Sequence, residues 1–236
     1  MSMIKLLEQE FSGWKKAELL WLFFCTVSVT ALSLYMKDTA LRIVTAVTGL
    51  LYTLLAGKGK ISCYFFGIVN VLGYSFISFR NGLHGEVMLN MCCYLPMMFV
   101  GIFCWKNQRD ASGTIYKTWL GAAGETIMLL LSGAGIIIYA MILKKLGDPQ
   151  PVVDSITTVL SVSAMILTVK RCIEQWALWT AVNALSIYMW LVQYLRGEGS
   201  FAILCMWILA LLNGIIFFCQ WYTATAKGAG AVKERI

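Results

Sequence analysis

The chain has 236 residues, 59% of them apolar and 13% charged, with 19 Lys and Arg against 12 Asp and Glu for a net charge of +7. Soluble domains carry about 25% charged residues, so the composition excludes an ordinary soluble enzyme. The surplus positive charge would suggest nucleic acid in a soluble protein, but here it sits in short loops between apolar runs, and no nucleic-acid partner is expected.

In chain order, residues 1–17 carry Ile4, Leu7, Phe11 and Trp14 at spacings of three and four. That is an amphipathic stripe suited to the cytoplasmic interface. Eight runs of 15 or more residues without a charge follow, at 19–36, 43–57, 61–79, 87–105, 126–143, 155–169, 175–195 and 199–226. A bilayer core of roughly 30 Å needs about 20 apolar helical residues, and backbone groups inside it must pair within the protein. The fold class expected is therefore an all-α polytopic membrane protein with eight transmembrane helices and no separate soluble domain. The first helix, 18–36, is longer than a signal-peptide core and reads as an uncleaved span. Trp14, Trp105, Trp221 and Tyr222 fall near run ends, where aromatic side chains anchor at the interface.

Alternating the loops between the two sides puts 13 basic residues on the side of the N-terminus and 6 on the other. The positive-inside rule then makes both termini cytoplasmic, with residues 223–236 a cytoplasmic tail. The eight cysteines show no metal-ligand spacing, and the only histidine, His84, lies in a turn with no second ligand. No catalytic residue, metal or cofactor is expected. Glu125 and Asp154 read as carboxylates at helix starts, and Pro96 as a kink within 87–105.

Sliding the chain by 113 residues brings Ile43 onto Ile156, Leu54 onto Leu167, Lys58 onto Arg171 and Val69-Asn70 onto Val182-Asn183. Gly101-Ile102 likewise meets Gly214-Ile215. This predicts two three-helix repeats, 40–106 and 153–222, joined by one linker helix over 118–145, with 18–36 as an additional N-terminal helix. An odd number of helices between them makes the repeats parallel.

No acid or base falls inside the uncharged runs, which argues against ion coupling. Amides occur instead: Asn70, Asn90, Asn183 and Asn213. Each is costly to bury without a partner, and each is either glue between helices or part of a polar cavity. Two in each repeat favour a cavity for a ligand rich in hydroxyl and amide groups. Gln175 precedes Trp176, Trp179 and Asn183, which share one helix face. At the 113-residue offset Phe66 and Asn70 correspond to Trp179 and Asn183. An aromatic one turn from an amide can stack on a flat ring and bond its polar edge. The expected substrate-binding set is Trp179, Asn183, Trp176, Gln175, Phe66, Asn70, Asn90 and Asn213.

The Gln175-Trp176-x-x-Trp179-x-x-x-Asn183 pattern resembles the PnuC family of bacterial vitamin transporters, as do the turn from Lys58 into Tyr64-Phe65-Phe66-Gly67-Ile68-Val69-Asn70 and the stretch from Asn90 to Trp105. The resemblance covers about residues 40–222. It implies a fold similar to the SWEET sugar facilitators, a homotrimer in the bacterial inner (plasma) membrane, and facilitated diffusion of nicotinamide riboside. A cytoplasmic kinase would trap the substrate by phosphorylation. Other vitamins, thiamine or riboflavin, a sugar, and a scaffold without substrate stand as alternatives.

Overall fold

The structure is a computed structural model that describes residues 10, 12–82, 84–110, 112–147, 151–197 and 200–233. Most of the N-terminal amphipathic stripe lies outside the described residues, as do residues 234–236 and the side chains of His84 and of residues 226–233. Eight long helical segments account for nearly everything else. They are α1 (Lys16–Tyr35), α2 (Ala40–Lys58), α3 (Cys63–Arg80), α4 in three pieces (His84–Met88, Leu89–Tyr94 and Leu95–Lys106), α5 (Gly121–Lys145), α6 (Pro151–Val169), α7 (Gln175–Leu195) and α8 (Phe201–Lys233). Among the described residues there is no strand, only two isolated bridges.

Seven of the eight are long and apolar enough to cross a membrane. The eighth, α7, has 21 residues but carries Gln175, Asn183 and Gln193 within them, which lowers its apolarity. A helix can afford that composition where its polar face looks onto protein or a cavity rather than lipid. The charge-free run of α8 ends at Ala226, and the helix runs on to Lys233.

Six helices close a ring. In order around it, α2 packs on α3, α3 on α4, α4 on α6, α6 on α7, α7 on α8, and α8 back on α2. Outside the ring α1 packs on α2 and α8, and α5 packs on α6. The helix preceding α2 and the helix preceding α6 thus take similar outer places. In α5 only Ser132 is buried, and Leu129, Leu130, Leu131, Ile137 and Ile138 point outward.

The turns that end α2 and α6 are built alike. Gly59 takes a left-handed conformation (φ 72°), its N–H donates to Ala56 O, and the Lys60 N–H donates to Leu55 O. This closing pattern satisfies carbonyls that the last turn would leave bare. Arg171 (φ 64°), 112 positions later, does the same: its N–H donates to Thr168 O, and the Cys172 N–H to Leu167 O. A side chain at positive φ is unfavourable. The Arg171 guanidinium is held by Gln108 Oε1 (3.1 Å) and Tyr116 O (3.2 Å).

Those two acceptors belong to the segment between α4 and α5, which ties both turns together. Ile115 N–H donates to Gly59 O, while Thr118 N–H donates to Arg171 O and its own carbonyl accepts from Ile173 N–H. Lys60 Nζ, buried under this segment, donates to Ser112 O at 2.9 Å, and burial holds its ammonium below the usual lysine range.

The structural period at these turns is therefore 112, not the 113 of the sequence match. The shift is one residue, enough to rotate each helical correspondence by about 100°. Along the inner wall of the ring, 112 pairs Gly49 with Ser161, Tyr74 with Ser186, and Met98 with Ala210, all six of which face the central space. At the 113 offset, Tyr52 and Met165 meet across the ring instead, with Tyr52 Oη 3.8 Å from Met165 Sδ.

Trp105 and Trp221 are not interface anchors. Both are fully buried. Trp105 Nε1 on α4 donates to Thr168 O at the end of α6 (3.1 Å), and Trp221 Nε1 on α8 donates to Gly57 O at the end of α2 (2.7 Å). Trp105 meets Tyr64 edge-on at 4.9 Å and Trp221 meets Trp176 edge-on at 5.6 Å, and Tyr64 and Trp176 are again 112 apart.

Candidate functional site

The ring encloses a cavity which, with its opening, spans about 970 Å³. All six ring helices line it. One end is formed by Ala56, Thr168 and Gln175, near the turns just described, and the other by Tyr74, Glu86 and Thr157. The wall is aromatic and amide-rich, the pattern of a site for a small ring-bearing ligand with polar edges.

Six of the eight expected residues line this cavity: Gln175, Trp176, Trp179, Asn183, Asn70 and Asn90. Their local bonds set what each has left to offer. Trp179 donates its indole N–H to Thr168 Oγ1 at 2.9 Å, and its ring lies 5.9 Å from Tyr94. With its polar atom engaged, Trp179 presents a ring held in one orientation. Trp176 packs on Phe217 (5.2 Å) and Trp221, and its buried Nε1 has no protein acceptor among the described residues. Gln175 donates through Nε2 to Cys172 O at 2.9 Å, so its amide caps the preceding turn.

The amides divide sharply. Asn70 donates to Thr45 O (2.8 Å) and approaches Met206 Sδ (3.6 Å). A side chain at Gly49 would collide with both the Asn70 amide and Met206, so glycine there lets the amide fit between helices. Asn90 donates to Glu86 O one turn back (2.8 Å). Asn183 is 5% exposed, faces the cavity, and makes no side-chain hydrogen bond among the described residues. A desolvated amide with free donors and acceptors is costly unless a ligand or water completes it.

Two expected residues lie elsewhere. Asn213 is fully buried outside the cavity lining: its Oδ1 accepts from Trp21 Nε1 of α1 at 2.9 Å, and its Nδ2 donates to Leu209 O at 2.8 Å. It joins α8 to the outer helix. Phe66 is half-buried against the core and does not line the cavity. In the 112 register the position matching Trp179 is Gly67, which packs on Tyr52 and Met98.

Glu86 lines the cavity, which corrects the expectation that no carboxylate reaches the intramembrane region and removes the argument against ion coupling drawn from it. The uncharged run began at residue 87, so a boundary drawn by charge left Glu86 one position outside. Tyr52, Tyr94 and Trp207 were also missed. Tyr94 could have been found from its spacing, one turn after Asn90. It ends the segment Leu89–Tyr94, which has π-type hydrogen bonding, with the Leu95 N–H reaching back to Asn90 O. Pro96, two positions on, has no N–H to donate, and the wider turn before it accommodates that loss. Such turns often mark functional sites.

Among the described residues, no group of three or more His, Cys, Asp or Glu could hold a metal ion.

Comparison with known proteins agrees over nearly the whole chain. The family model described as nicotinamide mononucleotide transporter matches residues 39–223. A nicotinamide riboside transporter PnuC of Neisseria mucosa is 34% identical over 226 residues, covering 93% of this chain and 86% of that protein. One from Haemophilus influenzae is 31% identical over 225 residues, covering 94% and 96%. A crystal structure of the vitamin B3 transporter PnuC superposes with a TM-score of 0.87 at 32% identity, covering 96% of this chain and 99% of that one.

Proposed function

The chain belongs to the nicotinamide mononucleotide transporter family, and from that premise we propose that it carries nicotinamide riboside across the membrane by facilitated diffusion through the central cavity. The observation that carries this reading is Asn183: an amide with free donors and acceptors, one helical turn from the fixed ring of Trp179, on the wall of an aromatic cavity. Nicotinamide riboside has a flat ring, a carboxamide edge and ribose hydroxyls to match. Trp176, Gln175, Asn70 and Asn90 complete the wall of the proposed site. Phe66 and Asn213 support it from outside.

The cavity's charge favours the riboside over the mononucleotide. No Lys or Arg occurs among the described lining residues, and Glu86 is acidic. A phosphate would lose its hydration there without a cation to replace it.

The architecture we infer is eight crossing helices, with α2–α4 and α6–α8 as two parallel three-helix bundles in a SWEET-like arrangement. Bacterial inner-membrane placement with both termini cytoplasmic follows the basic asymmetry. Reporter fusions at residue 236 and in the 144–150 loop are expected to report opposite sides, and the same side from both would overturn the eight-helix topology. The assembly we propose is a homotrimer, with uptake made effectively one-way by a cytoplasmic kinase that phosphorylates the product.

Binding of radiolabelled nicotinamide riboside, thiamine, riboflavin and glucose to purified protein tests the substrate: only the riboside should bind tightly. Reconstituted liposomes test the mechanism. Because the substrate is a cation, an uncoupled carrier equilibrates it at zero membrane potential. An inside-negative potential should concentrate it about tenfold per 60 mV, given about 2.3 kcal/mol per charge per 100 mV and 1.4 kcal/mol per decade. Accumulation driven by a proton or sodium gradient with the potential clamped at zero would overturn facilitated diffusion.

A further inference from the structure

Among the described residues lining the cavity, Glu86 alone carries a formal charge. It sits in the first turn of α4, where a carboxylate favours the helix dipole, yet it also forms part of the cavity wall rather than facing lipid. The ion pairs among the described residues are Lys58 with Glu18 and Arg42 with Asp38, and neither involves it. Tyr74 and Tyr94, both on the same wall, and a second carboxylate, Asp154 in the first turn of α6, lie within electrostatic reach of it. One turn further along α4, Asn90 bonds the Glu86 carbonyl and so fixes the backbone that carries the carboxylate.

An intramembrane carboxylate that forms no ion pair here is expensive to keep. It becomes favourable when a cation enters the cavity. The low-dielectric wall carries no positive charge among its described residues and the nearby Asp154 is also acidic, so this attraction is less screened than at a surface and is not opposed by a cation of the protein. The ring nitrogen of a pyridine ribonucleoside is quaternary, so such a ligand is a permanent cation, which the amides and indoles can wall in but cannot neutralise.

We propose that Glu86 is a specificity-determining residue, a fixed carboxylate that selects cationic pyridinium ribosides over uncharged isosteres of the same shape. The proposal rests on reading the cavity as a pyridine-nucleoside site. It assigns shape and hydrogen bonding to the amide and indole wall, and charge selection to the carboxylate at the start of α4.

The test compares nicotinamide riboside with benzamide riboside, in which a carbon replaces the charged ring nitrogen, on purified wild type and Glu86→Gln. Wild type should bind the cation about tenfold more tightly than the isostere, the scale expected for unit charges about 10 Å apart at an effective dielectric constant near 20. Glu86→Gln should lose most of that preference by weakening the cation, with the affinity for benzamide riboside nearly unchanged. Equal weakening of both ligands, together with a lowered melting temperature, would assign Glu86 to helix structure and overturn the proposal. So would an unchanged preference in Glu86→Gln. A wild type that binds neither ligand would overturn the pyridine-nucleoside reading itself and the role of Glu86 with it, an outcome separate from the other two.

Discussion

Asn183→Leu should weaken nicotinamide riboside binding by roughly 5- to 150-fold while the purified protein melts within a few degrees of wild type. The reason is that the Asn183 amide faces the cavity without a protein partner among the described residues. A ligand that completes it gains bonds, and loss of the amide leaves the ligand's own group unpaired at about 1–3 kcal/mol, which converts to that range at 1.4 kcal/mol per decade. Folding loses little, because no helix–helix bond is broken. Asn213→Leu should behave in the opposite way. Its amide accepts from Trp21 and donates to Leu209 O, so its loss strands an indole N–H between α1 and α8. Interhelical bonds in membranes are worth about 0.6 kcal/mol on average and up to about 1.7, enough to lower the melting temperature with affinity intact. Measuring both quantities on both variants decides the matter. If Asn183→Leu lowers the melting temperature and spares affinity, Asn183 is helix glue and the proposed binding role fails.

The same pair of asparagines shows what the sequence could and could not carry. Charge-free runs marked every long helix, because lipid permits few alternatives to helical pairing. The face of Trp176, Trp179 and Asn183, with Gln175 just before it, was legible because helical spacing is local, and all four residues do line the cavity. Register between distant segments was not. Matched residues at 113 reflected likeness of sequence, while the turns at Gly59 and Arg171 repeat at 112. One residue of slip moved the expected partner of Trp179 from Gly67 to Phe66, and neither position lines the cavity, so the aromatic expected opposite Trp179 has no counterpart at that place in the wall. Asn213 was misassigned for a different reason: an amide in apolar sequence looks the same whether it faces a cavity or Trp21, and only packing decides. Glu86 was missed because charge was used to draw the boundary of its own span.

Trp221→Ala should be among the most destabilising single substitutions in the chain, at roughly 3 kcal/mol, with Trp105→Ala close behind. Large-to-Ala core changes cost about 3–5 kcal/mol in soluble proteins, and the low end applies where lipid rather than water is the alternative environment. Each side chain is fully buried and does two things at once. It packs edge-on against an aromatic of a neighbouring helix, Tyr64 of α3 for Trp105 and Trp176 of α7 for Trp221, and its N–H closes a carbonyl at the end of α6 or α2 respectively. Trp→Phe at either position keeps most of the packing and loses the bond, so its cost should be nearer 1 kcal/mol. The two positions then separate functionally. Trp221 supports Trp176, which lines the cavity, whereas Trp105 supports Tyr64, which does not. Trp221→Ala should therefore also reduce riboside affinity in the folded fraction, and Trp105→Ala should not. An equal loss of affinity in both would mean that the bonds from α4 to α6 and from α8 to α2 act on the cavity as a single clamp at the Thr168 and Gln175 end, rather than through the aromatic that each tryptophan touches.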